Sequence, residues 1–328
     1  MRQVMYRDAI CEALDEEMAR DESVFIMGED VGIIGGNFKT TVGLRDKYGD
    51  LRCKDTPISE AGIVGMGVGA ALVGMRPVVE LMFCDFLMMA MDQICNQAAK
   101  ITYMSGGQVR VPMVIRTPLG GGRSSAAQHS QSLHAWIAHI PGIKVVLPST
   151  AREAKGLLKT AIRDNNPVLF FEHKMLYTVK FDDVAGADED FCIPFGKARV
   201  VTEGDDITVV TNSIMTIKAE KAANELRKDG ISVEIIDLRT IVPLDTGTII
   251  KSVKKTGKLL IVDEGHISFG ISGEIGLRIM PEVFYDLEAP MERLGTSDVP
   301  LPFSPALELP LIPDEKKIAA KIREMVRP

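Results

Sequence analysis

Over residues 6–21 the apolar positions Ile10, Ala13, Leu14 and Met18 recur at helical spacing, and the short apolar run Val24-Phe25-Ile26-Met27 follows. The pattern predicts a helix leading into a buried strand. It continues with a small-residue helix after Ser59, a strand at 78–81, a long helix over 85–104 and a strand at 111–116. Beyond these it predicts a helix at 131–139, a strand at 144–147, a helix at 151–164 and a strand at 168–172. Strands alternating with helices predict an α/β fold with a mainly parallel sheet covered on both faces.

Between residues 174 and 197 the periodicity lapses into a stretch holding Asp182, Asp183, Asp188, Glu189, Asp190 and Pro194. This predicts a linker over 181–200 between a first domain, 1–180, and a second, 201–328. The second domain shows strands at 207–211, 233–237 and 259–262, helices at 215–228 and 245–255, and a closing helix at 314–326 with an acidic first turn.

Composition narrows the function. The 38 basic and 45 acidic residues leave a formal charge of −7, the wrong sign for a surface that tracks nucleic acid or an anionic membrane. The most apolar stretch, 63–79, is broken by Arg76 and Pro77 and falls short of the ~20 apolar residues a bilayer span needs. Met1-Arg2-Gln3-Val4 runs into charged sequence without a signal-peptide pattern. Cys11, Cys53, Cys84, Cys95 and Cys192 are scattered, with no CxxC pair, as suits a reducing compartment. A cytoplasmic enzyme is the expectation.

Gly65-x-Gly67-x-x-Ala70 has the spacing of a dinucleotide fingerprint, but it lies inside the small-residue helix rather than after a strand, so close helix packing is the better reading. Gly120-Gly121-Gly122 could cradle an anion, but it lacks the lysine and hydroxyl of a phosphate loop and reads rather as a mobile or closely approached turn. Ser59-Glu60 has two readings. The serine caps a helix and the glutamate complements its dipole, or the carboxylate is held on a rigid helix end as a fixed proton donor or acceptor. His129, His134 and His139 surround Trp136, but their spacing does not share a helix face, which argues against a metal triad. His129 follows the glycine loop in a polar run, where a near-neutral imidazole could reach a substrate.

The runs Gly28-Glu29-Asp30-Val31-Gly32, Asp55-Thr56-Pro57-Ile58-Ser59-Glu60, Arg76-Pro77-Val78-Val79-Glu80, Asp92-Gln93-Ile94, Tyr103-Met104-Ser105-Gly106-Gly107 and Gln128-His129-Ser130-Gln131 carry a family resemblance. The chain resembles the β subunit of the decarboxylating component of 2-oxo acid dehydrogenase complexes, in order and over essentially its whole length. The resemblance implies a thiamine diphosphate enzyme of transketolase-like architecture: a pyrimidine-binding domain with a mainly parallel sheet, then a smaller α/β C-terminal domain.

By that resemblance Glu60 hydrogen-bonds the aminopyrimidine and favours its imino tautomer, which activates the thiazolium carbon. Phe86 stacks on the pyrimidine, Ile58 and Met82 line it, and Glu29 and Asp92 lie near the path between cofactor sites. His129 contacts the substrate-derived intermediate and assists acyl transfer to a lipoyl arm. Met113, Ala161, Ile162, Asp164 and Asn166 match a loop that holds a potassium-like cation through main-chain oxygens. Glu288 and the carboxylate of Pro328 match the acidic site that docks the lipoyl acyltransferase core. The family's Gly-Asp-Gly motif for Mg²⁺ is absent from the sequence, so the metal and diphosphate fall to an α subunit in an α2β2 heterotetramer. The segment Glu172-His173-Lys174-Met175-Leu176-Tyr177 looks most like acetoin dehydrogenases, which favours acetoin over pyruvate or branched-chain 2-oxo acids as substrate. A noncatalytic docking subunit for the acyltransferase core is the alternative of a different class.

Overall fold

The computed structural model describes residues 3–182 and 191–326, which form two compact units that are not consecutive in the chain. The first draws on Met1–Leu119 and Trp136–Phe195, and the second on Gly120–Ala135 and Gly196–Pro328. A single cut at 181–200 therefore misses the segment 120–135, and the linker positions Asp183, Asp188, Glu189 and Asp190 lie outside the described residues.

In the first unit six strands run parallel, in the spatial order Lys144–Val146, Val168–His173, Val114–Leu119, Arg76–Glu80, Val24–Gly28 and Cys53–Asp55. Val114–Leu119 and Val168–His173 are buried at every position, as near-continuous apolar strands covered on both faces must be. The helices Tyr6–Arg20 and Ala151–Arg163 pack together. Two buried lysines on the second helix, Lys155 and Lys159, reach Glu16 at 2.6 and 2.7 Å, and Arg163 reaches the buried Glu17 at 2.7 Å. Thr150 caps that helix, its hydroxyl oxygen accepting from the Glu153 N–H at 3.3 Å.

The helix Glu60–Leu72 explains the glycine pattern. A Cβ at Gly67 would come within 2.9 Å of Met113 Cε and of Val79 Cγ1, so glycine lets this helix approach the sheet closely. The long helix predicted over 85–104 is instead three pieces: a 3₁₀ stretch Cys84–Ala90, a π-helical stretch Gln93–Ala98 and a short α-helix Ile101–Met104. Buried Cys84, Leu87 and Ala90 recur every third residue, which suits 3₁₀ geometry and mimics an amphipathic α-helix in sequence.

In the second unit Glu292–Thr296, Leu259–His266, Ile207–Thr211 and Val233–Asp237 run parallel in that spatial order, with Arg199–Thr202 antiparallel at the edge. The helices are Ser213–Leu226, Thr246–Thr256, Ile271–Val283 and Glu315–Val326. Strand order reverses between Ile207–Thr211 and Leu259–His266, and the carboxyl ends of strands at such a reversal open a crevice in α/β sheets. Asn212 and Asp263 meet there, the amide donating to the carboxylate at 2.9 Å. Among the described residues no helix is long and apolar enough to cross a membrane.

Candidate functional site

Two carboxylates meet at the carboxyl edge of the first unit's sheet. Glu29 directly follows the strand Val24–Gly28, and Glu60 opens the helix after Cys53–Asp55, with the intervening loop tied back by the Thr56 N–H donating to the Gly28 carbonyl at 2.9 Å. Their exposures are 7% and 9%. The Glu29 Oε1 has no hydrogen-bond partner, and Glu60 makes no hydrogen bond or ion pair to a described residue. Burial, then the charge of Glu60, then those of Asp30 and Glu80, push the Glu29 carboxyl above the usual range. Ser59 makes no side-chain cap bond, so helix capping does not account for the Ser59-Glu60 pair. Buried carboxyl groups with unfilled hydrogen-bonding positions suit a ligand that exchanges hydrogen bonds or a proton with them.

The turn Cys84–Ala90 packs against the Glu60–Leu72 helix. On it Phe86 is half-buried, edge-on to Phe83 at 6.0 Å, and Phe83 in turn meets Phe38 at 6.0 Å. Met82 is half-buried and Ile58 is 80% exposed. Asp92 is exposed and accepts from the Asn96 amide at 2.7 Å.

Beside these lies an ionic network that the sequence reading missed. Arg116, fully enclosed by the sheet, donates to Glu80 at 2.7 Å and to both oxygens of Glu172 at 2.7 and 2.9 Å. The Tyr177 hydroxyl donates to Glu172 at 2.7 Å, and Thr40 donates to Glu80 at 3.3 Å. Burial and the Glu172 charge hold Tyr177 well above its ordinary range, so it stays a donor. Its ring stacks on Phe38 at 4.6 Å, joining the network to the aromatic row. The available signal was a charged residue inside each of three mostly apolar strands, Glu80, Arg116 and Glu172, where buried charges must pair. Of the segment 172–177, Glu172 and Tyr177 belong to this network, and His173 Nδ1 accepts from the Met175 N–H at 3.1 Å.

Of the cation-loop residues, Ile162 and Asp164 meet at Arg76. Its guanidinium donates to the carbonyls of Ile162 at 2.8 Å and Asp164 at 3.0 Å and to the Asn165 side chain at 2.6 Å. The Ala161 carbonyl accepts from the Asp164 N–H and the Met113 carbonyl from the Val168 N–H. The Asp164 carboxylate, which also binds Lys144, accepts from the Asn166 N–H and amide at 2.8 and 2.9 Å. Asn165-Asn166 therefore serves this turn.

His129 lies in the second unit, half-buried, on a loop closed by the Gly120 N–H donating to the Gln131 carbonyl at 3.0 Å. The glycine run does cradle anions, and they are the protein's own. The N–H of Gly121 donates to Glu264 at 2.7 Å, and those of Gly122 and Ser124 donate to Glu308 at 2.7 and 2.9 Å. A cavity of about 460 Å³ borders the loop, lined in part by Ser130, Gln131, Ser132, Glu264, His266 and Asp298. His134 is buried and paired with Asp263 at 2.9 Å. Glu288 is exposed beside the Gly257 turn, its N–H donating to the Gly257 carbonyl at 2.8 Å, while Pro328 lies outside the described residues.

Residues 2–180 match the family described as "Transketolase, pyrimidine binding domain", and residues 196–318 match "Transketolase, C-terminal domain". The chain is 49% identical to the pyruvate dehydrogenase E1 component subunit beta of Rickettsia bellii, over 98% of each chain. It is 47% identical to the 2-oxoisovalerate dehydrogenase subunit beta of Bacillus subtilis, over 99% of each. A solved structure titled "Split gene transketolase, inactive beta4 tetramer" shares the fold at a TM-score of 0.80 and 22% identity, over 98% of each chain. The chain belongs to the family of E1 β subunits of thiamine diphosphate-dependent 2-oxo acid dehydrogenases, built from transketolase-type pyrimidine-binding and C-terminal domains.

Proposed function

We propose that this chain supplies the pyrimidine half of a thiamine diphosphate site and, with an α subunit in an α2β2 heterotetramer, decarboxylates a 2-oxo acid and passes the acyl group to a lipoyl acyltransferase core. The observation that carries the reading is Glu60, a buried carboxylate at a helix start with no partner among the described residues, beside Glu29, whose Oε1 has none among them either. That arrangement suits the aminopyrimidine, whose ring nitrogen would take a proton or hydrogen bond from Glu60. Phe86, Met82 and Ile58 are its apolar neighbours in this reading, with Glu29 and Asp92 flanking. Thiamine diphosphate, when bound, supplies the electron sink that breaking a bond next to a carbonyl requires.

The chain's own residues hold and protonate. Glu60 fixes one cofactor protonation state, Glu29 keeps the surrounding field negative, and His129 serves as the acid–base group toward the acyl fragment. The Mg²⁺ ligands are placed on the α subunit in this reading because the sequence holds no Gly-Asp-Gly motif. A potassium ion at Met113, Ala161, Ile162, Asp164 and Asn166 would use second lone pairs of carbonyls that already accept from Arg76 or a backbone N–H. The five cysteines are free thiols, which supports a cytoplasmic location.

The relatives named for pyruvate and for 2-oxoisovalerate are almost equally similar, so the substrate class is taken as 2-oxo acid. Acetoin stays the second reading, carried by the resemblance of residues 172–177 alone. The αβ pair should turn over pyruvate or a branched-chain 2-oxo acid with an artificial electron acceptor and without the core. Turnover of acetoin alone would reassign the substrate, and no turnover of any would favour a docking role.

A further inference from the structure

We propose that the second unit holds the His129 loop in its working geometry, and that Glu308 is the positioning residue that does so. The inference rests on the acid–base role given above to His129. Glu308 is fully buried at the end of the short helix Pro305–Glu308, and its two oxygens accept separately from Gly122 N–H at 2.7 Å and Ser124 N–H at 2.9 Å. Glu264 takes the neighbouring Gly121 N–H at 2.7 Å, and Asp263 holds His134 at the far end of the same segment at 2.9 Å. Three carboxylates thus grip a stretch of fifteen residues, Gly120–His134, that carries His129 near its middle.

The backbone between the grips is not one the chain adopts unaided. Gly120 and Gly122 have φ of 98° and 88°, and Ser124 and Ala126, which carry side chains, have φ of 54° and 60°. Such conformations persist only where surrounding bonds over-determine them, and they cluster where a group must be aimed. Hydrogen bonds from N–H groups to a buried carboxylate are charge-assisted and suited to that task. Glutamine offers one acceptor oxygen and an amide that would confront the other N–H, so Glu308→Gln releases half of the grip at almost unchanged volume. A Cβ at Gly121 would come within 2.6 Å of Ile312 Cδ1 and 2.7 Å of Leu301 Cδ1, so Gly121→Ala must shift those side-chain tips or the loop while leaving both carboxylates in place.

The test uses the full chain assembled with its α subunit, as Glu308→Gln, Gly121→Ala, His129→Ala and the double variant His129→Ala/Glu308→Gln. In Glu308→Gln, amide hydrogen exchange at Gly122 and Ser124 should accelerate about tenfold or more. The kcat for acyl transfer should fall roughly 10- to 100-fold, the scale of a small misplacement of a catalytic group, with KM within about twofold. Gly121→Ala should show the same split. Because Glu308 acts through His129, the double variant should be no slower than His129→Ala. Protected amides with wild-type kcat in Glu308→Gln, or a double-variant loss equal to the product of the two single losses, would overturn the tether while leaving His129 in place. Full turnover in His129→Ala would overturn the histidine's role and this one with it.

Discussion

Arg116 and Glu172 face each other as fork to fork inside the first unit's sheet, Nε and Nη2 donating to the two carboxylate oxygens at 2.7 and 2.9 Å with both side chains about 1% exposed. A pair so placed costs several kcal/mol to desolvate and recovers it only while both partners remain. Arg116→Met should therefore lower the unfolding free energy by about 3–5 kcal/mol, since it strands Glu80 and Glu172 together without a counter-charge. Adding Glu172→Met should restore part of that loss. Thermal unfolding of the single and double variants decides it, and a double variant worse than the single would mean that the network does not act as a unit.

His134 and Asp263 give the second unit a pH signature. Burial disfavours the charged imidazole, but the Asp263 charge, its hydrogen bond and the Glu264 charge outweigh it and raise His134 above its ordinary value of 6.5. A raised histidine contributes stability that is fully present below the unfolded value and is lost as pH rises through the folded one. Asp263, buried but lowered below 3.8 by His134 and Asn212, contributes stability that is present above that value and is lost as pH falls through its folded value. The melting temperature, compared with that of His134→Gln, should therefore fall on both sides of a window from about pH 4 to 6.5. Parallel curves for the two proteins between pH 6 and 9 would remove the pair from the stability account.

Glu288 is 70% exposed at its side chain, with Lys258 at 3.9 Å, so its charge matters little to folding. Glu288→Lys should weaken binding of the basic peripheral domain of an acyltransferase core by roughly tenfold or more, as reversal of a docking charge does. Turnover with an artificial acceptor should stay at the wild-type level. Equal heats and affinities for the two proteins in calorimetry would remove the site.

The sequence made some of this legible and hid the rest for physical reasons. Ile10, Leu14 and Met18 announce their helix because they bury one face of a long regular element. The helix Ile271–Val283 escapes because Gly273, Gly276 and Pro281 are poor helix signals that only tertiary packing overrides. Glu60 is visible as a carboxylate at a helix start, but its lack of a partner among the described residues is a tertiary fact. The glycine run at 120–122 reads as a turn, and the structure aims its N–H groups at anions. Its anions, Glu264 and Glu308, lie more than a hundred residues away, at a separation no local pattern reports. That separation is also why the 120–135 segment joins the second unit unannounced.

Glu60→Gln keeps the volume of the side chain and replaces its ionisable carboxyl with an amide. In the assembled αβ enzyme the rate of hydrogen–deuterium exchange at the thiazolium carbon, followed by NMR, should slow by roughly 10²-fold or more, as loss of a positioned acid–base group does. An unchanged rate would leave the carboxylate without a mechanistic role.

The central claim is that this chain carries only the pyrimidine half of the cofactor site, and calorimetric titration of thiamine diphosphate with Mg²⁺ tests it most directly. The account predicts no stoichiometric binding to the isolated chain, stoichiometric binding once the α subunit is added, and weaker binding in the Glu60→Gln pair. Stoichiometric, micromolar binding to the isolated chain would contradict it, because the diphosphate and its metal would then be held here.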